Sequence, residues 1–360
     1  MAKVTFLRGA RQLLTLRGPS GPRRGTDLQN LGIIPDGALL VVDGRIAEVG
    51  STRRIENLAA ARDAEEIDAR GCVVLPGLVD SDAQIITGTL RGMSPRALKL
   101  KALGAMEDAI HSGTTALGMA SAEIKMLRAY AALREFPFGL VSTFAASGLA
   151  PALAGRTMAA LRRGKLAEFV EIGCDQEAVL AQARQYGWGV KTRVGSTPDA
   201  IAEAVRIGAT SVNGVVHASE REAMLLANSR TIATLSPGFA LGQAGAGYPP
   251  ARPLIDRGAA IAFASGGNLS NLLLAIAVAC GALNITPAEA IFAATINSAY
   301  AIASERSIGS LEVGKSADLV ILGVPDYREL PYHLGVNLVN LVMIRGAVLL
   351  KKSAVKWPVR

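Results

Sequence analysis

The chain has 360 residues, half of them apolar and 19% charged. That is enough to bury one large core, and it excludes a disordered chain. Only 4% are aromatic, which argues against a base-stacking nucleic-acid surface. The net charge of +8 is dispersed in pairs such as Arg23-Arg24, Arg53-Arg54, Arg162-Arg163 and Lys351-Lys352. With no nucleic-acid motif beside them, these read as solvated surface charge.

Cys72, Cys174 and Cys280 lie far apart with no C-x-x-C spacing, so neither a disulfide framework nor a structural zinc site is encoded. The expected setting is reducing and cytoplasmic. The apolar stretch Val4-Thr5-Phe6-Leu7 is too short for a signal sequence, and no apolar run reaches membrane-spanning length. Neither a membrane nor a nucleic acid is therefore an expected partner.

In chain order, residues 1 to about 70 alternate and turn like β structure. Ala38-Leu39-Leu40-Val41-Val42, then Asp43-Gly44, then Arg45-Ile46-Ala47-Glu48-Val49 is a strong hairpin signal. From there the rhythm changes. Short apolar runs at 73–79, 114–118, 138–144, 169–172, 189–193, 211–216, 231–235 and 260–264 are separated by stretches of helical composition, such as 122–134, 177–186 and 198–207. Alternating strands and helices predict a parallel sheet with right-handed crossovers, and eight such units close into a barrel. A doubly wound open sheet is the runner-up, but no G-x-G-x-x-G follows an early strand. Two further strands are predicted at 318–322 and 342–349. The expected architecture is α/β: a TIM-like (β/α)8 barrel over 76–305, with a small β-sandwich domain from 1–75 and 306–360.

Function in such barrels sits at the C-terminal strand ends. The first of these, Leu75-Pro76-Gly77-Leu78-Val79-Asp80-Ser81-Asp82-Ala83-Gln84, resembles the opening of the amidohydrolase superfamily barrel, in which a P-G-[LF]-[VI]-D stretch runs into a metal-binding H-x-H pair. Four later stretches are similar to the imidazolonepropionase branch. They are Tyr248-Pro249-Pro250-Ala251-Arg252-Pro253-Leu254-Ile255-Asp256, then Ile285-Thr286-Pro287-Ala288-Glu289-Ala290 running on through Ala294-Thr295-Ile296-Asn297. Ile308-Gly309-Ser310-Leu311-Glu312-Val313-Gly314-Lys315 and Pro331-Tyr332-His333-Leu334-Gly335-Val336-Asn337 complete the set. The resemblance covers nearly the whole chain. It implies a TIM-like barrel beside a small β domain built from both termini, and one zinc or iron ion that serves to hydrolyse a cyclic amide, imidazolone-propionate, in histidine breakdown.

Carried over residue by residue, the resemblance fails at the metal ligands. The H-x-H pair falls on Asp82 and Gln84, the strand-five histidine on Arg193, the strand-six histidine near Gly214, and the strand-eight aspartate on Gly266. The catalytic glutamate falls on Ser196. Arg91 matches a substrate-binding arginine, and Glu171 stands where the family keeps a strand-four glutamate. Glycine supplies no side-chain donor, and arginine is a permanent cation that repels a metal. No metal and no cofactor are therefore expected. No residue stands out as catalytic; Ser265, Asn268 and His217 join Arg91, Glu171 and Ser196 as possible pocket residues. Ser81 and Ser265 read as turn or capping residues, and His111 and His333 as structural. Arg193 is expected either to occupy the space of the metal, held by Asp82 and Glu171, or to reach solvent.

Three readings follow. One is a catalytically inactive pseudoenzyme serving as scaffold or partner subunit, as a homodimer or as a heteromer with an active paralogue. A second is a metal-dependent hydrolase of cyclic amide C–N bonds with a rebuilt site. A third is a binding protein that takes a small anionic ligand, a carboxylate, through a cationic mouth formed by Arg91 and Arg193.

Overall fold

The computed structural model describes residues 3–83, 92–173, 176–195, 199–242, 247–266 and 271–352. The N-terminal segment builds half a sheet around a long strand, β1 (Val4–Leu14), which pairs antiparallel with β2 (Ile33–Val42). The predicted hairpin joins β2 to β3 (Arg45–Ser51). Asp43 and Gly44 take φ of 46° and 79°, the two left-handed residues that a tight hairpin turn requires. Two short strands, β4 (Glu65–Asp68) and β5 (Val73–Pro76), both run parallel to β1.

The chain then enters the barrel. Its strands are β6 (Leu78–Ala83), β7 (Thr114–Ser121), β8 (Gly139–Ala145), β9 (Phe169–Ile172), β10 (Gly189–Arg193), β11 (Ser211–Asn213), β12 (Ile232–Leu235) and β13 (Ile261–Phe263). They lie side by side in chain order, all parallel. Three closing strands, β14 (Leu319–Leu322), β15 (Val339–Ile344) and β16 (Ala347–Lys351), return to the first sheet, where β14 pairs with β5. Both termini therefore share one hydrogen-bonded network in the order β16-β15-β14-β5-β1-β2-β3, with β4 beside β1. The barrel and the separate sheet of both ends agree with the expected fold class.

Two predicted strands divide. The run 73–79 is two strands: β5 belongs to the terminal sheet and β6 to the barrel. The break falls at Gly77, where a Cβ would lie 2.2 Å from Thr115 Oγ1, so only glycine permits that approach. The run 342–349 is a hairpin, turned by Arg345 and Gly346 at φ of 49° and 73°. In both cases the turn falls on a pair ending in glycine, Pro76-Gly77 or Arg345-Gly346, set inside an otherwise apolar run.

The barrel seam is closed by side chains. No ladder joins β13 to β6 among the described residues. Ser81 Oγ instead donates to the Phe263 carbonyl at 2.8 Å, and Asp80 Oδ1 accepts from the Ser265 N–H at 3.2 Å. The helix Ile296–Ala301 backs this seam, with Ser298 Oγ donating to the Phe263 carbonyl at 3.1 Å. Ser81 is thus a mid-strand clasp, which corrects its reading as a turn or cap. The largest apolar core fills the barrel and the layer under its helices, and a second lies within the terminal sheet around Leu7, Leu13, Leu319 and Met343. No described helix is long and apolar enough to cross a membrane.

Candidate functional site

Parallel strands send alternate side chains to the barrel interior. On β10 this period carries Lys191 and Arg193 inward together, with Arg193 at the C-terminal end where barrel sites lie. Next to it, β9 presents Glu171 in register with Lys191, and β11 presents Asn213 in register with Arg193. From β6 come Asp80 and Asp82. Five ionisable groups from three strands therefore meet in one mouth.

Arg193 is their hub. Its Nη2 donates to Asp82 Oδ1 at 2.9 Å and to Glu171 Oε2 at 3.0 Å, while Nε donates to Glu171 Oε1 at 3.1 Å. The fork to Glu171 is bidentate, the geometry in which a guanidinium binds a carboxylate best. Asp82 and Glu171 are almost closed to solvent, with side chains 7% and 4% exposed, whereas Arg193 keeps 32%. Burial opposes the charge of Arg193, but the two carboxylates outweigh it and raise its pKa above the ordinary arginine value. Asn213 Nδ2 reaches Glu171 Oε2 at 3.4 Å.

Beneath this hub lie two further charges. Lys191 is 1% exposed, and its Nζ donates to the Ser81 carbonyl at 3.2 Å and sits 5.0 Å over the Phe169 ring. Burial lowers its pKa, partly countered by Asp82 and Glu171. Asp80 is 2% exposed. Burial pushes its carboxyl up to about 6, against the opposing pull of hydrogen bonds from Ser265 and Asp82. Three acids thus face two cations, so the described mouth is not cationic.

The two glycines at ligand positions are shaped by their surroundings. Gly214 has φ of +69°, and a Cβ there would lie 3.8 Å from Arg193 Cγ and 3.9 Å from its Nη1. The arginine runs alongside the space a side chain at 214 would use. Gly266 has φ of +64°, and its Cβ would come within 2.6 Å of Ser236 Cβ. A side chain at 214 is opposed by the left-handed φ alone, its Cβ contacts being ordinary, whereas at 266 it also collides with Ser236.

The structure brings Asp82, Glu171 and Arg193 together and sets Ser265 against Asp80. His217 is exposed beyond β11 and takes no part in the cluster. His111 is exposed, and His333 lies 3.7 Å from Glu329. Gln84, Arg91, Cys174, Ser196 and Asn268 lie outside the described residues. Among the described residues, no group of three or more His, Cys, Asp or Glu side chains could hold a metal ion. Sequence reasoning missed Lys191, Asp80 and Asn213. The signal was the two-residue period: each stands two positions from a residue already placed in the mouth or lies in register with one.

The amidohydrolase family pattern matches residues 73–349. The chain is 32% identical to an imidazolonepropionase of Parabacteroides distasonis, an alignment covering 95% of this chain and 97% of that one. It is 31% identical to an imidazolonepropionase of Symbiobacterium thermophilum, covering 97% of each. The first alignment runs over 409 positions, more than this chain's own length, so the relative carries internal segments that this chain lacks. Solved structures show the same fold at lower identity. An adenosine deaminase from Xanthomonas campestris with bound zinc has a TM-score of 0.75 at 18% identity, covering 96% of this chain and 93% of that one. An atrazine chlorohydrolase from Arthrobacter aurescens complexed with zinc has a TM-score of 0.78 at 17% identity, covering 96% and 95%. With its barrel, its terminal sheet and this likeness along nearly its full length, the chain belongs to the amidohydrolase family, in the imidazolonepropionase-like branch.

Proposed function

We propose that this chain is an amidohydrolase-fold protein that has given up metal-dependent hydrolysis and acts as a scaffold or partner subunit, as a homodimer or with an active paralogue, in the cytoplasm. The observation that carries this reading is the Arg193 guanidinium bonded to both Asp82 and Glu171. A metal-activated hydrolase needs donors that converge on an ion, which then polarises the amide and yields hydroxide at neutral pH. Here the carboxylates that could donate are neutralised by a cation that cannot be deprotonated. Zinc or iron does not fit this donor set: Gly214 and Gly266 add nothing, and Arg193 repels the ion.

Among the described residues a free base to activate water is also wanting. Glu171 and Asp82 both direct their oxygens to Arg193 and not to an open position for water. Asp80 is 2% exposed and lies beneath the Arg193 hub.

The second reading, a working hydrolase of cyclic amide C–N bonds, is favoured by the name its relatives carry at 32% identity over nearly the whole chain. The third, a carboxylate binder, loses half its support because Nε and Nη2 of Arg193 are already engaged. Metal analysis of protein grown with added zinc and iron, together with ring opening of imidazolone-propionate, decides among them. The scaffold reading expects neither bound metal nor turnover; stoichiometric metal with turnover would establish the hydrolase instead.

A further inference from the structure

On the barrel face opposite the mouth, a groove of about 970 Å³ runs between the N-terminal strand ends and the loop that follows β1. Four cations line it, Arg23, Arg230, Arg306 and Lys315, against two acids, Glu305 and Glu312. The lysine is accounted for: Nζ lies 3.5 Å from Glu312 Oε1 and donates to Ser310 Oγ at 2.6 Å and to the Glu305 carbonyl at 2.7 Å.

The arginines are not. Arg23 is 3% exposed, yet its guanidinium meets only backbone carbonyls, those of Pro19, Gly21 at 2.7 Å and Leu16 at 3.4 Å. Among the described residues it forms no ion pair. Neutral carbonyls satisfy its hydrogen bonds but leave its charge uncompensated, which is costly for a buried group. Arg230 and Arg306 are exposed on the same groove and make neither an ion pair nor a side-chain hydrogen bond among the described residues. The loop is held in place: the Gly21 N–H donates to the Tyr300 hydroxyl and the Arg23 N–H to Asn297 Oδ1, both at 2.7 Å.

We propose that this groove binds a small multivalent oxyanion, the phosphoryl or polycarboxylate group of a soluble molecule. Arg230 and Arg306 supply direct contacts, and the fixed charge of Arg23 supplies the field behind them. Planar guanidinium forks suit such oxyanions better than any other side chain. Because chemistry in these barrels lies at the other face, the ligand here is an effector or a stabilising ion and not a substrate. The inference does not depend on whether the mouth is active.

The test is calorimetric titration and thermal unfolding of the full chain with pyrophosphate and, separately, with citrate, ionic strength being matched with potassium chloride. At least one anion is expected to bind saturably and raise the melting temperature above the chloride control; which one does so identifies the source of the charge. The double variant Arg230→Ala/Arg306→Ala removes only exposed, unpaired side chains. It is expected to melt like the parent in chloride and to lose about tenfold or more in affinity. Failure of both anions to exceed the chloride control, or undiminished binding by the double variant, overturns the proposal. A single Arg306→Gln variant gives the same reading should the double variant melt early.

Discussion

Nη2 of Arg193 lies 2.9 Å from Oδ1 of Asp82, so strand β10 is tied to strand β6 across the barrel mouth. The same nitrogen holds Glu171 from β9. One cation thereby fastens three strands and neutralises two acids that are otherwise closed to water. This is the structural half of what a bound metal ion does, performed by a side chain.

Replacing that cation should be costly. Arg193→Met leaves Asp82 and Glu171 buried without the guanidinium that pairs them, the case in which removing one member of an ion pair destabilises most. Since the arginine keeps partial access to water, the expected loss is about 3 kcal/mol, at the lower end for a buried pair. Denaturant unfolding at neutral pH measures it. A loss below about 1 kcal/mol, the value of a surface pair, would mean that the guanidinium does not hold the mouth together.

A second replacement asks whether the pair still has the shape of a metal site. Arg193→His removes the fixed cation and offers an imidazole beside two carboxylates already directed at a common point. Two carboxylate oxygens and one imidazole nitrogen are three donors of kinds that zinc accepts, leaving a fourth position open. The variant is expected to retain near-stoichiometric zinc after dialysis, while the parent retains almost none. Equal zinc in the two proteins would show that Asp82 and Glu171 do not converge once the arginine is gone.

Much of this was legible in the sequence, and the gaps have physical causes. The eight-fold alternation gave the barrel because each strand is a short apolar run with a helical stretch after it. Asp82, Glu171 and Arg193 were placed at the mouth by the family resemblance, and their pairing was one of two expectations, because a guanidinium there must find acids or water. The division of 73–79 was not legible. Val73 to Val79 is apolar throughout apart from Pro76 and Gly77, and the change of sheet depends on Thr115 packing against Gly77 from a distant strand. Asp80 and Lys191 were overlooked because interior polar residues are uncommon in a barrel core. Their place becomes evident only when the inward period is followed two residues down from Asp82 and Arg193.

The strand-eight position tests whether an aspartate, which the family resemblance places at Gly266, can be introduced there. At Gly266 an aspartate would have to adopt φ of +64° and push its Cβ to within 2.6 Å of Ser236 Cβ. Asp tolerates the left-handed region better than most residues, but the contact with Ser236 forces the neighbouring loop to move. Gly266→Asp is expected to destabilise the protein by about 1–3 kcal/mol and to leave ring opening undetectable. Adding Ser236→Gly should recover part of the stability. An undiminished melting temperature for Gly266→Asp alone would mean that the loop accommodates the side chain, so that the glycine is not fixed by packing.

The buried carboxyl of Asp80 gives the protein a pH dependence of defined sign. Its folded pKa is raised to about 6 from an ordinary 3.8, chiefly by burial. The folded state therefore binds the proton more tightly than the unfolded state does. This group's stabilising contribution is complete below pH 3.8 and is lost as the pH rises through 6. Stability should accordingly decline between about pH 4 and 6, by an amount that disappears in Asp80→Asn. The amide keeps an oxygen to accept from the Ser265 and Asp82 N–H groups, at 3.2 Å in the parent, but has no charge to bury. Unfolding free energies of both proteins across that range provide the measurement. A parent and variant that run parallel from about pH 4 to 6 would mean that Asp80 is already ionised there when folded, and that Lys191 close by compensates its charge.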